Sequence, residues 1–521
     1  MNSMLRRGIA AVGLAALLAG CTSTPAADPS GSPATTPGKL AVPTVKHVPR
    51  TADSYPFSAA DHARVPVDLA SHGFVEEEYF LSGNANVYTL ADGTLAIEES
   101  DIPYTNRILV RRPSDPAKAT GVVLVDIYNA SNGYDIEDMW RRLYSNILLE
   151  GHTYVGVTSK PINVDALYQF DLERYQELSW YDEPEASCPR HELIDFATAG
   201  PWVDVPCTET GLAWDILTQV GTAIRDPQAS EQILGDIDVK SVFLIGQSQS
   251  GTYLNTYVNN FHNQVTQDNG GTPVFDGYLT AAGNWLERSI RDGEYQNGGS
   301  AENNQTGMVP GPATPVDIDV PWMIVDSESD TALFQAQATK ERALDDQTRV
   351  WQISGTGHTY SWSPVVPDNA ELLKAGRPER VFPEVYTPYP MEPSMIAATQ
   401  ALINNHQNST ALPATKWFER DAEGNLVRDD NGNVLGGVRY GLMELALAKF
   451  LGFAKPGDMN GVAEPITAEQ FQQRWSDRAD YLSKQSEFDD TMIEAGYLTP
   501  DGKAIFAERA NLVLDEIGIP A

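Results

Sequence analysis

The sequence predicts an α/β fold: a mostly parallel, doubly wound sheet with helices on both faces and long insertions over its upper edge. Two observations carry this. Short, continuous apolar runs alternate with segments of 3.6-residue apolar period, and such strand–helix alternation builds parallel sheets. One apolar run is followed at once by Gly246-Gln247-Ser248-Gln249-Ser250-Gly251, a small-residue turn that opens a helix-compatible stretch. At 521 residues and 42% hydrophobic, the chain can bury a large core and is too apolar for general disorder.

In chain order, residues 1–20 read as a bacterial export signal. Arg6 and Arg7 precede the apolar run Gly8–Leu18, which leads into Leu18-Ala19-Gly20-Cys21. The run is too short to span a bilayer, and small residues just before a cysteine resemble the lipobox of bacterial lipoproteins. The expectation is a signal peptide over 1–20, palmitate-type acylation of Cys21, and attachment to the extracytoplasmic face of the bacterial cell membrane through that lipid alone. Residues 21–45, rich in Ser, Thr, Pro and Ala, read as a flexible tether, and 46–521 as one domain. Acylation of Cys21 leaves Cys188 and Cys207 as the remaining cysteines. In an oxidising compartment these are expected to pair, contributing about 3 kcal/mol in the chain-entropy view.

Within the body, Arg107–Arg111 reads as a strand and Gly121–Val125 as a strand covered on both faces, because its apolar run is unbroken. Asp135–Leu149 places Ile136, Met139, Trp140, Leu143 and Ile147 on one helical stripe, with Gly151 as its stop. Tyr154–Val157, Val242–Ile245, Pro321–Val325 and Val350–Ile353 read as further buried strands, and Gly211–Ile224 as a helix. Two Gly-, Asn- and Pro-rich stretches, 263–319 and 361–412, interrupt the alternation and are expected as insertions over a site. Asp421–Arg439 carries Gly424-Asn425 and Asn431-Gly432 turn signals for hairpins; its spacing does not fit a calcium loop. The C-terminal part reads as helical, with Thr467 and Gln470 as a capping box.

The turn at 246–251 has the form of a nucleophile elbow, a sharp strand-to-helix turn that lifts one hydroxyl above a sheet. Strand and helix pass closely there, so the residues two before and two after the nucleophile must be small. With Ser248 as nucleophile these are Gly246 and Ser250. The amide of Gln249, at the start of the new helix, can face an oxyanion. A serine hydroxyl needs a base, and the base a carboxylate to orient it. On such a sheet the order along the chain is serine, acid, histidine. Asp330 closes the Ser327-Glu328-Ser329-Asp330 turn after a strand and is the expected acid; Asp326 is placed at the strand edge and Glu328 is the alternative. His358, in Ser354-Gly355-Thr356-Gly357-His358 after the last strand, is the expected base, whereas His406 sits in a polar Asn/Gln setting with no strand before it. The second oxyanion donor is expected among the backbone amides of Tyr128 to Ala130, with Asn129 the choice.

These motifs together resemble the bacterial serine hydrolases described as alpha/beta hydrolase domain-containing. The resemblance rests on Pro103-Tyr104-Thr105, Arg107 to Pro113, the Asn129 to Asp135 loop, Gly246 to Gly251, Ser327 to Asp330, Gly355 to His358 and Gly436-Gly437-Val438-Arg439. It implies an α/β-hydrolase fold with Ser248, Asp330 and His358 as a triad. Ser250 stands where the broader superfamily has Gly, and Gly357 where Ala is more usual.

The expected activity is carboxylic-ester hydrolysis through an acyl-enzyme, on a small-molecule or lipid-like ester, with no metal or organic cofactor. Peptidase or acyltransferase chemistry on the same triad, or a ligand-binding lipoprotein without catalysis, is the alternative. With 71 acidic against 36 basic residues and a net charge of −35, the chain is unsuited to a phosphate backbone, so no nucleic-acid partner is expected. The same charge favours a soluble monomer. Three cysteines exclude a disulfide-framework protein and a Cys-rich zinc or iron–sulfur site.

Overall fold

The computed structural model describes residues 40–91, 94–181, 193–199, 203, 205–291, 308–312, 316–333, 344–359, 365–381, 387–455 and 459–521, all within one unit, Gly38–Ala521. The expected signal segment, Cys21 and Cys188 lie outside the described residues. The expected tether, 21–45, overlaps the first strand, which begins at Thr44.

The strands are β1 (Thr44–Val48), β2 (Phe74–Ala91), β3 (Thr94–Pro113), β4 (Val122–Ile127), β5 (Thr153–Val157), β6 (Ser241–Gln247), β7 (Gly277–Ala281), β8 (Leu286–Arg288), β9 (Met308–Pro310), β10 (Trp322–Ser327), β11 (Thr348–Ile353), β12 (Ala448–Leu451) and β13 (Val462–Pro465). Nine of them form one sheet in the order β1-β2-β3-β5-β4-β6-β7-β10-β11, with β8–β9 and β12–β13 as separate pairs. From β5 to β11 every neighbouring pair is parallel. β1, β2 and β3 run antiparallel along one side.

Alternate residues of the parallel strands enter two cores. Val123, Val125 and Leu244 join Trp214 and Leu217 on one face. Leu124, Phe243 and Ile245 join Trp140, Leu143 and Met395 on the other. Because both faces are covered, these strands read as unbroken apolar runs. The helix Asp138–Glu150 buries Met139, Trp140, Leu143 and Ile147 fully, each contributing roughly 1.5–3 kcal/mol. It ends on Gly151, whose φ of 84° is the left-handed cap that glycine adopts without a Cβ clash. The helix Ala213–Arg225 covers the opposite face.

The segments expected as insertions are more ordered than their composition suggests. β7, a central strand, lies inside 263–319. The helix Glu392–Asn408 lies inside 361–412 and packs Met395, Ile396 and Leu402 into the second core. The Asp421–Arg439 region forms the expected hairpin turns, with antiparallel bridges Arg420–Leu426 and Arg428–Val434. Thr467 and Gln470 make the expected reciprocal capping box. Among the described residues, no helix is long and apolar enough to cross a membrane.

Candidate active site

β6 ends at Gln247 and the helix Gln249–Thr256 begins two residues later, leaving Ser248 alone in the turn. Its backbone is held at φ 58°, ψ −121°, a conformation strained for a residue with a side chain and characteristic of over-determined sites. The Ser248 amide donates to Ala281 O at 2.8 Å, which pins the turn to the end of β7. Gly246 must be small, since a Cβ there would lie 2.7 Å from Ser250 O.

The three residues expected to act together are brought together. Ser248 Oγ lies 2.8 Å from His358 Nε2, and His358 Nδ1 is hydrogen-bonded to Asp330 Oδ1. Asp330 follows β10, at the start of the short helix Glu328–Leu333; its Oδ2 accepts from both the amide and the hydroxyl of Ser327, at 2.7 Å each. Both His358 and Asp330 are buried, so water competes little with these bonds.

The loop that carries His358 is clamped residue by residue. Ser329 Oγ accepts the His358 amide at 2.5 Å. Glu328 Oε2 accepts the Gly355 amide at 2.8 Å, and its Oε1 accepts from Arg428 at 2.6 Å. Glu328 therefore holds the loop's backbone, while Asp330 holds the imidazole. Gln247 Nε2 donates to His358 O at 3.2 Å, and the Gln247 side chain is itself bonded to the buried Arg142. Asp326 is not at an edge; it is fully buried in β10. Burial, then the charge of Asp330, pushes its carboxyl well above the usual carboxylate range, against a 3.0 Å hydrogen bond from the Asn284 amide.

His262 and His406 are elsewhere. His262 is buried between Tyr278 OH at 2.7 Å and Asp319 Oδ1 at 2.9 Å. His406 ends the helix Glu392–Asn408 and stands edge-on to Phe243.

For an oxyanion, the amide of Gln249 is at the first position of its helix, where no intrahelical acceptor exists. The expectation for Asn129 needs correction. Its amide donates to Ile136 O at 3.0 Å, closing the loop on itself, so it does not face the elbow. The Asn129 side chain instead buttresses the site: Nδ2 donates to Gln247 O at 3.2 Å, and Oδ1 accepts the Ser131 amide at 2.7 Å. The amide turned toward the elbow is that of Ala130, 2.8 Å from Gln249 Oε1.

Sequence reasoning did not single out Ser327, Ser329, Gln247, Arg142 or Arg428. The hydroxyls beside Asp330 were a readable signal. Arg428 offered none. Among the described residues, no group of three or more His, Cys, Asp or Glu is placed to hold a metal.

A mostly parallel sheet with a serine at a strained β6 elbow, and an acid and a histidine after β10 and β11 beyond β7, defines the α/β-hydrolase class of fold. Residues 40–507 match the model of the family described as an alpha/beta hydrolase domain, and the chain belongs to that family. A comparison with curated proteins finds no match. Among solved structures, the chain is similar to esterase Est22 at 13% identity over 50% of this chain and 65% of that one, with a TM-score of 0.27. It is similar to XC6422 from Xanthomonas campestris, described as an a/b serine hydrolase without lid, at 13% identity over 49% and 80%, with a TM-score of 0.24. A third likeness is to LpqC, a poly(3-hydroxybutyrate) depolymerase from Bordetella parapertussis, at 13% identity over 69% and 97%, with a TM-score of 0.28. The chain thus spans less than two thirds of Est22, and likenesses this distant carry no argument about substrate.

Proposed function

We propose that this protein is an exported, lipid-anchored serine hydrolase that cleaves carboxylic esters through an acyl-enzyme intermediate. The observation that carries the reading is the hydrogen-bonded chain from Ser248 Oγ through the His358 ring to Asp330, mounted on a strained elbow. In the first half-reaction Ser248 Oγ bonds to the ester carbonyl carbon as His358 Nε2 takes its proton. Asp330, bonded to Nδ1, keeps the accepting lone pair on Nε2 and stabilises the imidazolium. The negative oxygen of the tetrahedral intermediate is met by the Gln249 amide. The bond to the alcohol oxygen then breaks, and that oxygen leaves with the proton from His358. Water, deprotonated by the same ring, attacks the acyl carbon; the carboxylic acid departs and Ser248 regains its proton.

Ser248→Ala should abolish hydrolysis of short p-nitrophenyl esters while leaving the melting temperature close to that of the wild type. A fluorophosphonate probe should form a covalent adduct at Ser248. Undiminished turnover in the variant would remove Ser248 from the reaction, and failure of the wild type to label would favour a binding protein. Anchoring through acylated Cys21 is supported by the residues before it; Cys21→Ser should release the protein from the membrane fraction. A Cys188–Cys207 bridge completes the proposal. It is supported by the sequence alone, since acylation of Cys21 leaves these two cysteines in an oxidising compartment; Cys188 lies outside the described residues.

A further inference from the structure

The side chain of Gln249 lies where an ester substrate needs a hydrogen-bond donor. Its Oε1 accepts the Ala130 amide at 2.8 Å, one residue along from the nucleophile. The orientation is chemically forced, because an N–H must face an acceptor, so the carboxamide oxygen and not its NH2 lies against Ala130. The NH2 is left buried, with no partner among the described residues.

The neighbouring amides of the same loop are engaged within the fold. Tyr128 donates to Val157 O at 2.9 Å, Asn129 to Ile136 O at 3.0 Å, and Ser131 to Asn129 Oδ1 at 2.7 Å. Among these amides, Ala130's is the one whose acceptor is a side chain from outside the loop, and a side chain can rotate away. A carbonyl-like oxygen already sits on that donor, beside the helix whose first amide faces the same reaction.

We infer that the Gln249 carboxamide is a resident stopper: its oxygen stands in for the substrate's carbonyl oxygen on the Ala130 amide, which is the second oxyanion donor, and substrate must displace it. The inference rests on the proposed reading of Ser248 as nucleophile. The stopper is weakly held by construction, since one end makes a hydrogen bond and the other leaves a buried donor unsatisfied, a state that disfavours itself. Rotation frees the NH2 to reach water as the substrate oxygen takes its place. Only the open fraction of molecules binds productively, so apparent affinity is lowered by that fraction.

Gln249→Met keeps the length of the side chain but removes the acceptor, and Gln249→Ala removes the side chain; both retain the backbone amide. For each, kcat/KM on p-nitrophenyl acetate should rise roughly 2–10-fold, the equivalent of one net hydrogen bond, chiefly through a lower KM. The second-order rate of fluorophosphonate labelling at Ser248 should rise by the same factor, because the phosphoryl oxygen seeks the same amide. A role limited to packing moves both readouts down or not at all. Wild-type labelling without acceleration in Gln249→Met overturns this inference alone. Absence of wild-type labelling overturns the proposed function and this inference with it.

Discussion

Replacing Asp330 by Asn tests the division of labour between the two acids of the Ser327–Asp330 segment. Asp330 Oδ2 accepts two bonds from Ser327, from its amide and its hydroxyl, at 2.7 Å each, and Oδ1 accepts from His358 Nδ1. An asparagine must satisfy the Ser327 amide with its single oxygen, which turns its NH2 toward His358. Nδ1 then becomes an acceptor, the ring proton moves to Nε2, and Nε2 can no longer receive the Ser248 proton. A tautomer inverted in this way lowers kcat by roughly 10³–10⁴-fold, or roughly 4–5.5 kcal/mol of transition-state stabilisation. Glu328→Gln is the matched comparison. Glutamine still accepts the Gly355 amide but loses the charge opposite Arg428, whose side chain is 29% exposed. That loss amounts to about 1–3 kcal/mol of stability, below the cost of breaking a fully buried pair, with kcat held within about 10-fold. Steady-state kinetics on p-nitrophenyl esters, with urea denaturation of each variant, read both quantities. A loss of kcat in Glu328→Gln equal to that in Asp330→Asn would refute the assignment of Asp330 as the orienting acid.

Two further outcomes follow from burial. At Gly357 an added Cβ would lie 2.4 Å from Gly461 N and 2.8 Å from Met459 O, so Gly357→Ala should destabilise by about 1–3 kcal/mol and lower kcat by displacing His358, measured by melting temperature and ester turnover. Burial pushes Glu287 up from 4.5 to about 7, against hydrogen bonds from Asn259 and Asn260. The folded state therefore holds a proton that the unfolded chain releases near 4.5, so this contribution to stability is full below that pH and is lost as pH rises through about 7. At about 1.4 kcal/mol per pH unit the loss comes to roughly 3 kcal/mol. Glu287→Gln should gain that much over the wild type at pH 8 and nothing at pH 4.5, by chemical denaturation at both.

What the sequence made legible, and what it hid, follows from how each residue meets its environment. β4, β6, β10 and β11 could be read because both of their faces are buried, which demands unbroken apolar runs. β7 could not, since Gly277-Tyr-Leu-Thr-Ala281 is short and carries a threonine. Inside the sheet that threonine is satisfied: Thr280 Oγ1 donates to Asn255 at 2.8 Å and accepts from Trp322 Nε1 at 3.0 Å. The β2–β3 hairpin was legible only over Arg107–Arg111, and the rest was hidden for a related reason. Glu78, Arg107 and Arg111 are charged residues that a strand pattern cannot place inside, yet all are buried. Arg107 pairs with both Glu78 and Asp135, and Arg111 pairs with Glu76 at 2.8 Å and Glu137 at 2.9 Å. Opposite charges meeting in three dimensions offset much of the desolvation penalty that keeps a lone charge at the surface. The order of Ser248, Asp330 and His358 was legible because it is a property of the chain. The direction of the Asn129 amide was not, because side-chain type does not say where a loop's backbone turns.

The acid and the base hang from β10 and β11, the strands at the far side of the sheet from β1, so whatever secures that edge also governs their alignment with Ser248. An open strand edge is mobile and prone to wrong pairing. Here β11 is not left open: the Gln352 amide donates to Lys416 O at 3.0 Å, the Val438 amide to Gln352 O at 2.8 Å, and the Ser354 amide to Val438 O at 3.2 Å. Ser354 Oγ adds a bond to Gly436 O at 3.0 Å. The hairpin that supplies these contacts also supplies Arg428, the cation on Glu328, which holds Gly355. One segment thus covers the sheet edge and braces the His358 loop. Precision of this kind is what proton transfer over a single hydrogen bond requires, and it explains why a hairpin with no chemistry of its own is built into the same domain.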